Sequence, residues 1–153
     1  MDAVKLANDV ITVFNAHWSG DIGDEVYYPT KINGASWFET QAETVDPKGG
    51  LVMANKVIIR IPDDATATQS ETENNVTTIK AATYTDPISY KSATSVSGKW
   101  TLCGGTVIIK GTATGTSWTP ATLKASFAGC MTVVGVTDNR RAPNAPHFKV
   151  VGS

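Results

Sequence analysis

The clearest pattern along the chain is Lys56-Val57-Ile58-Ile59-Arg60-Ile61, closed by Pro62. In an extended chain Val57, Ile59 and Ile61 share one side, and Lys56 and Arg60 lie on the other, because successive side chains of a strand alternate between faces. A slip of one residue would bury both cations, so the pattern also pins the register. Asp9–Phe14 is β-branched and aromatic with no helical stripe, and predicts another strand, although a short helix could precede it. A polar turn follows at Ser19–Asp24. Val26-Tyr27-Tyr28 and Ala35-Ser36-Trp37-Phe38 predict two more strands, interrupted by Pro29 and by Asn33-Gly34. That dipeptide favours a hairpin turn because both residues tolerate positive φ. Asp46–Gly50 predicts a further turn.

The second half continues the pattern. Lys99–Leu102 and Thr106–Gly111 predict two strands with Gly104-Gly105 as the hairpin turn between them, and Met131–Thr137 and His147–Val151 predict the last two. One short helix is expected near 120–128. Thr119 suits the cap, Pro120 suits the first helical position, Leu123 and Phe127 form the buried side, and Gly129 ends it. The segment Asp63–Thr78 is polar, acidic and poor in large apolar residues, and predicts a mobile loop. Many short strands separated by turn signals predict one all-β domain over residues 1–153, a small β-barrel or sandwich with long loops.

Composition narrows the function classes. Of 153 residues, 41% are apolar and only 18% are charged, below the usual ~25%, with Thr and Ser filling the gap. The net charge of −1 argues against nucleic-acid binding through the overall field. No apolar run approaches the ~20 residues of a membrane-crossing helix. The first residues lack the basic start and apolar stretch of a secretion signal. Cys103 and Cys130 are therefore expected as buried or half-buried thiols of a chain made in a reducing cytoplasm.

Candidate chemistry is sparse. The chain has no nucleophile elbow, zincin, P-loop or dinucleotide-binding motif. His17, His147, Cys103 and Cys130 come from four separate segments without a local CxxC or HxxxH anchor, so neither a zinc site nor a Cys–His nucleophile is expected. The reading is a protein with no catalytic residues, cofactor or metal. Trp37 and Trp100 sit in strand patterns and are expected in the core. Trp18 and Trp118 adjoin Ser, Gly and Thr, and suit either an exposed interface or sugar platform or a satellite cluster beneath a loop. The sharpest polar feature is Asp138-Asn139-Arg140-Arg141, held between two strands and followed by Pro143, Pro146 and His147. Arginines there suit bidentate contact with a partner's carboxylate or phosphate. The alternative is a solvated hairpin end in which Asp138 pairs with one Arg locally.

Four segments together resemble a family of small structural proteins of tailed phages and of Firmicutes prophages. They are Asp9–Asn15, Lys56–Pro62, Val107–Gly111 and, most closely, Thr137–Gly152. The resemblance covers most of the chain apart from the stretch around Ala65–Thr78. Members are minor capsid or virion proteins, and the resemblance implies a head–tail connector of the head-closure (stopper) type. It implies a homo-oligomeric ring that meets portal or adaptor and tail proteins, with packaged DNA nearby but no sequence-specific contact and no membrane. The implied location is the virion neck or tail, after assembly in the host cytoplasm. Many relatives carry Gly-Asp before the strand ending in Lys-Gly; here Gly104-Gly105-Thr106 stands instead, so no acidic contact is assigned there. In such a ring the 63–78 segment would reach the channel or the next ring, with Asp63, Asp64, Glu71 and Glu73 repelling DNA. The expected partner surface comprises Asp138, Asn139, Arg140, Arg141, His147, Trp18 and Trp118. A tail-completion or other tail or neck protein is the nearest alternative function, and a carbohydrate-binding β module is a more distant one.

Overall fold

The computed structural model describes residues 9–45 and 51–153. The strands are β1 (Asp9–Ser19), β2 (Asp24–Val45), β3 (Leu51–Pro62), β4 (Thr66–Glu73), β5 (Val76–Ala81), β6 (Thr83–Tyr84), β7 (Lys99–Trp100), β8 (Val107–Lys110), β9 (Cys130–Asn139) and β10 (His147–Gly152). Two short helices, α1 (Pro87–Ser92) and α2 (Pro120–Ser126), complete the described elements. The antiparallel order β1-β8-β9-β10-β3-β2 closes on itself, because β2 also pairs with β1. The fold is therefore all-β, and the choice between barrel and sandwich falls to the barrel. Closure removes the free edges of these six strands, which would otherwise invite aggregation, and leaves β4 and β5 outside the barrel.

The alternation at Lys56–Ile61 does what its pattern predicts. Val57, Ile59 and Ile61 are buried in the barrel, and join Ile11, Val13, Ile32, Ile108, Met131, Val133, Phe148 and Val150 in one core. Burying one such aliphatic side chain contributes roughly 1.5–3 kcal/mol. A satellite cluster of Phe14, Val107, Ile109 and Leu123 lies under α2. That helix is built as expected. Thr119 caps it, its hydroxyl accepting from the Thr122 N–H, and Pro120 opens it. It ends at Phe127 rather than at Gly129, since the Phe127 N–H already closes the last turn on the Leu123 carbonyl.

Four expectations change. First, Asn33-Gly34 does not turn the chain back. Val26–Tyr28 and Ala35–Phe38 belong to one strand, β2, and Gly34 is an extra residue between the pairs Val10–Asn33 and Asp9–Ala35. Its φ of +91° makes this a bulge. Pro29 is tolerated because β4 pairs only with Lys31–Asn33, beyond it.

Second, Asp63–Thr78 is not a loop. It contains β4 and the start of β5, paired in register from Thr68–Ala81 to Glu73–Val76. Asn74 and Asn75, at φ 52° and 63°, form the two-residue turn with positive φ at both positions that hairpins prefer. The Thr-rich alternation supports the ladder without burying apolar bulk.

Third, Gly104-Gly105 turns the chain, with Thr106 N–H donating to Cys103 O at 3.2 Å, but the flanking strands do not pair. β7 pairs in parallel with β6 instead. Fourth, Asp86-Pro87 starts a second helix, α1, with the same cap chemistry as α2. Trp100 is buried as expected, and Trp37 packs against the same core while staying half-buried, its indole N–H donating to Glu39 at 2.8 Å. The turn expected at 46–50 and any helix in residues 1–8 lie outside the described residues.

One long-range contact ties the β6–α1–β7 connection to the barrel. Buried Asn15 on β1 donates to Thr101 O at 2.7 Å and accepts from Thr101 N–H at 3.1 Å. The side-chain amide thus stands in for a neighbouring strand at Thr101, just past the end of β7.

Candidate interaction face

The motif Met131–Gly152 folds as the β9–β10 hairpin, and β10 pairs on its other side with β3. Because Phe148 and Val150 point into the core, His147, Lys149 and Val151 point out. The same reasoning turns Ile58 and Arg60 outward on β3, and Ser36 and Phe38 outward on β2. Register then aligns these residues in rows across the barrel surface. Phe38 opposes Ile58, Ile58 opposes Val151, and Val151 opposes Gly135. In the adjacent row Ser36 opposes Arg60, Arg60 opposes Lys149, and Lys149 opposes Thr137.

This face is unusual in two ways. Its apolar row is only partly covered: Ile58 and Val151 are half-buried, Phe38 at one end is 55% exposed, and Val134, in the bulge of β9 beside Gly135, is 73% exposed. Beside it, Arg60 and Lys149 stand directly opposite each other, an arrangement that costs stability through like-charge repulsion. The ion pairs found among the described residues are Lys80–Glu71 and Arg140–Asp138, so neither Arg60 nor Lys149 is neutralised there. A cationic pair next to a part-exposed apolar row is a surface prepared for an acidic and apolar partner.

The expected interface residues separate around this face. His147 and Asn139 lie on it as a cross-strand pair, with Asn139 Nδ2 and His147 Nε2 3.5 Å apart. His147 Nδ1 lies 2.7 Å from the carbonyl oxygen of Ala145, which is held at φ 53°. Arg140 and Asp138 turn the other way. The Arg140 guanidinium donates from Nε and Nη2 to the two Asp138 carboxylate oxygens at 3.0 and 2.9 Å. It also lies over the rings of Phe148 and Tyr84, 4.6 and 5.1 Å from their centroids. Those rings pack with Trp100. The Arg140 side chain beside Asp138 holds its carboxyl below the usual range, and Asp138 in turn raises Arg140. Arg140 is thus engaged within the chain, as in the local-pair alternative, with its Nε and Nη2 donors already spent on Asp138. Arg141 is exposed.

The tryptophans also divide. Trp118 donates to Thr114 O at 2.9 Å and packs on Phe127, 5.5 Å between centroids. It belongs to the satellite cluster, not to an open surface. Trp18 is 62% exposed at the end of β1. It rims a cleft of about 520 Å³ whose lining includes Asp21, Gln69, Glu71, Ser95 and Ser97. Next to it, His17 Nε2 lies 3.0 Å from Ala93 O, and the ring stacks edge-on to Tyr90. Burial raises the Tyr90 hydroxyl well above its ordinary value. It makes no hydrogen bond among the described residues.

Of the acidic set, Asp63 and Asp64 are exposed at the β3–β4 junction, and Glu73 sits at the hairpin tip. Glu71 is held by Lys80 Nζ and Ser97 Oγ, each at 2.6 Å, and these bonds lower its pKa. Both cysteines are half-buried free thiols, and burial raises that of Cys130.

No group of three His, Cys, Asp or Glu among the described residues is placed to hold a metal ion. No described helix is long and apolar enough to cross a membrane. A model of a family of unknown function, DUF6751, matches residues 6–153. The chain belongs to this family. No curated protein and no solved structure matches it. The matched residues include every strand that forms this face.

The residues that sequence reasoning missed are Phe38, Ile58, Lys149 and Val151. Alternation alone assigns each to an outer face. What it does not supply is the strand order that sets β2, β3 and β10 side by side.

Proposed function

We propose that this chain is a structural virion protein of a tailed phage, a head–tail connector subunit of the head-closure (stopper) type that acts by assembling into a homo-oligomeric ring. The observation that carries this reading is the part-exposed cationic and apolar face beside the C-terminal motif, on a closed barrel whose outer rows offer docking area. The resemblance of Thr137–Gly152 to small structural proteins of tailed phages supports the same conclusion. Its partners would be portal or adaptor and tail proteins. Its location would be the virion neck, reached from the host cytoplasm. Exposed Asp63 and Asp64 would favour sliding over sticking wherever packaged DNA passes. Recognition in such a ring is geometric, and no step needs a catalytic group.

Cryo-electron microscopy of the particle tests the reading. Density for this barrel between head and tail is expected, and loss of the chain should leave DNA-filled heads without tails. Absence of the chain from purified particles sinks it. Placement further down the tail replaces the stopper with a tail-completion role.

A second reading rests on Trp18. An exposed indole at the rim of a cleft with several polar side chains suits a sugar ring. Tryptophan fluorescence titrated with a glycan panel tests it. A saturable response lost in Trp18→Ala would favour a carbohydrate-binding module over the connector.

A further inference from the structure

We propose that the β4–β5 hairpin is an arm that docks on the β2–β3–β10 face of a second copy of this chain, with Glu73 over the Arg60–Lys149 pair and Val76 on the Ile58–Val151 row. This rests on the ring reading and names the contact that would build the ring.

Three observations carry it. The hairpin pairs with the barrel ladder at Lys31–Asn33, its stem is tied further by Gln69 to Thr30 and Lys99 O and by Glu71 to Ser97, and beyond those ties it runs on to its tip at Asn74-Asn75. From Thr68 to Glu73 it extends roughly 17 Å at about 3.3 Å per residue. The tip then carries the chemistry that the face lacks. Glu73 and Val76 are direct cross-strand partners and so share one side of the hairpin. Val76 is 61% exposed. On the face, the cationic row and the apolar row are likewise neighbours, two residues apart along β3 and β10. An acid beside a valine meets a cation pair beside an isoleucine–valine row, which is complementarity in both charge and polarity.

The third observation is direction. β4 runs antiparallel to β2, from Asn33 towards Lys31, whereas Phe38 and the face lie along β2 in the opposite sense. The tip of the arm therefore extends away from the face of its own molecule. Only another copy can present the two surfaces to each other. The contact is heterologous, arm to face, and repeating it generates a ring or an open chain of subunits.

The test uses the full chain and two variants. Sedimentation from about 10 to 500 μM should show concentration-dependent association of the wild type. Glu73→Lys with Val76→Asp removes the arm, and Phe38→Asp with Lys149→Glu removes the face. Each variant alone should associate at least tenfold more weakly, with unchanged circular dichroism and melting temperature as the check on folding. Mixed together, they retain one intact contact, and the expected product is a 1:1 heterodimer that grows no further. Association that survives in both variants overturns the arm–face contact but leaves the ring reading standing. No association of the wild type at 500 μM, with no arm–face cross-link in particles that do contain the chain, also overturns it. Absence of the chain from particles sinks the ring reading independently.

Discussion

The six strands of the barrel and the two strands of the arm are all paired as antiparallel ladders, yet they are held by different physics. In the barrel, one face of each strand enters a shared core in which Ile11, Ile59, Ile108 and Val150 are fully buried. In the arm, every residue from Ser70 to Ile79 is exposed. The arm relies on backbone bonds, the Asn74-Asn75 turn, and polar ties such as Lys80 to Glu71 and Gln69 to Lys99 O at 2.8 Å. Exposed ion pairs of that kind contribute about 0–1 kcal/mol. Isolated two-stranded hairpins are marginal in water. Register alone can thus shape a strand, but burial is needed to make it a stability element, and the unburied ladder is the one left available for contact.

The sharpest break between the two regions is a pair of truncations. Ile59→Ala removes a fully buried side chain and should lower stability by about 4 kcal/mol. Ile79→Ala, on the arm, should change it by no more than about 0.5 kcal/mol. Urea unfolding of both variants checks this, and equal losses would mean that the arm is part of the core.

A smaller effect is expected at the tie between barrel and connection. Asn15→Ala leaves the Thr101 N–H and C=O unpaired in a buried place, which should cost about 2 kcal/mol. Hydrogen exchange should show the loss concentrated at Lys99–Leu102, with the arm amides already fast in the parent chain.

Arg140→Ala sharpens the comparison at the motif. It removes an exposed bidentate pair and a cation over two rings, worth together about 1 kcal/mol. Arg141→Ala should be nearly silent in thermal melting. A double substitution therefore does not report cleanly on docking, and Arg141 is the variant to test for partner binding.

The smallest effect is acid release of the same clasp. The folded Asp138 carboxyl lies below its unfolded value, so its stabilisation is complete above that value and is lost as the pH falls through the folded one. The ring resonances of Phe148 and Tyr84 should be constant from pH 7 to 5 and shift only below about pH 4. Movement at higher pH would assign the clasp to another group.

Much of the barrel was legible in the chain itself. The two-residue alternation placed Val57, Ile59 and Ile61 inside, and the cap chemistry at Thr119-Pro120 located α2, because both signals depend only on residues a few positions apart. The same cap chemistry at Asp86-Pro87 was present and unused. Asn74-Asn75 was likewise a turn signal hidden in a segment judged by its polarity. Low apolar content predicts a loop at 63–78, but a Thr-rich ladder forms there on backbone bonds, the Asn74-Asn75 turn and ties to the barrel side rather than on a core of its own.

Local pattern by itself determined which residues face inward on the strands it found, such as Val57, Ile59 and Ile61, and where α2 begins. Tertiary structure alone decided that Asn33-Gly34 is a bulge in one strand rather than a turn between two, because that depends on which strand lies opposite. It alone decided that Arg140 is spent on Asp138, Tyr84 and Phe148, since Tyr84 is far away in sequence. And it alone assembled the face, since Phe38, Ile58 and Val151 become neighbours only when β2, β3 and β10 pair. Alternation is a property of one strand, whereas a surface row is a property of several, and their order is set by closure of the barrel around its core.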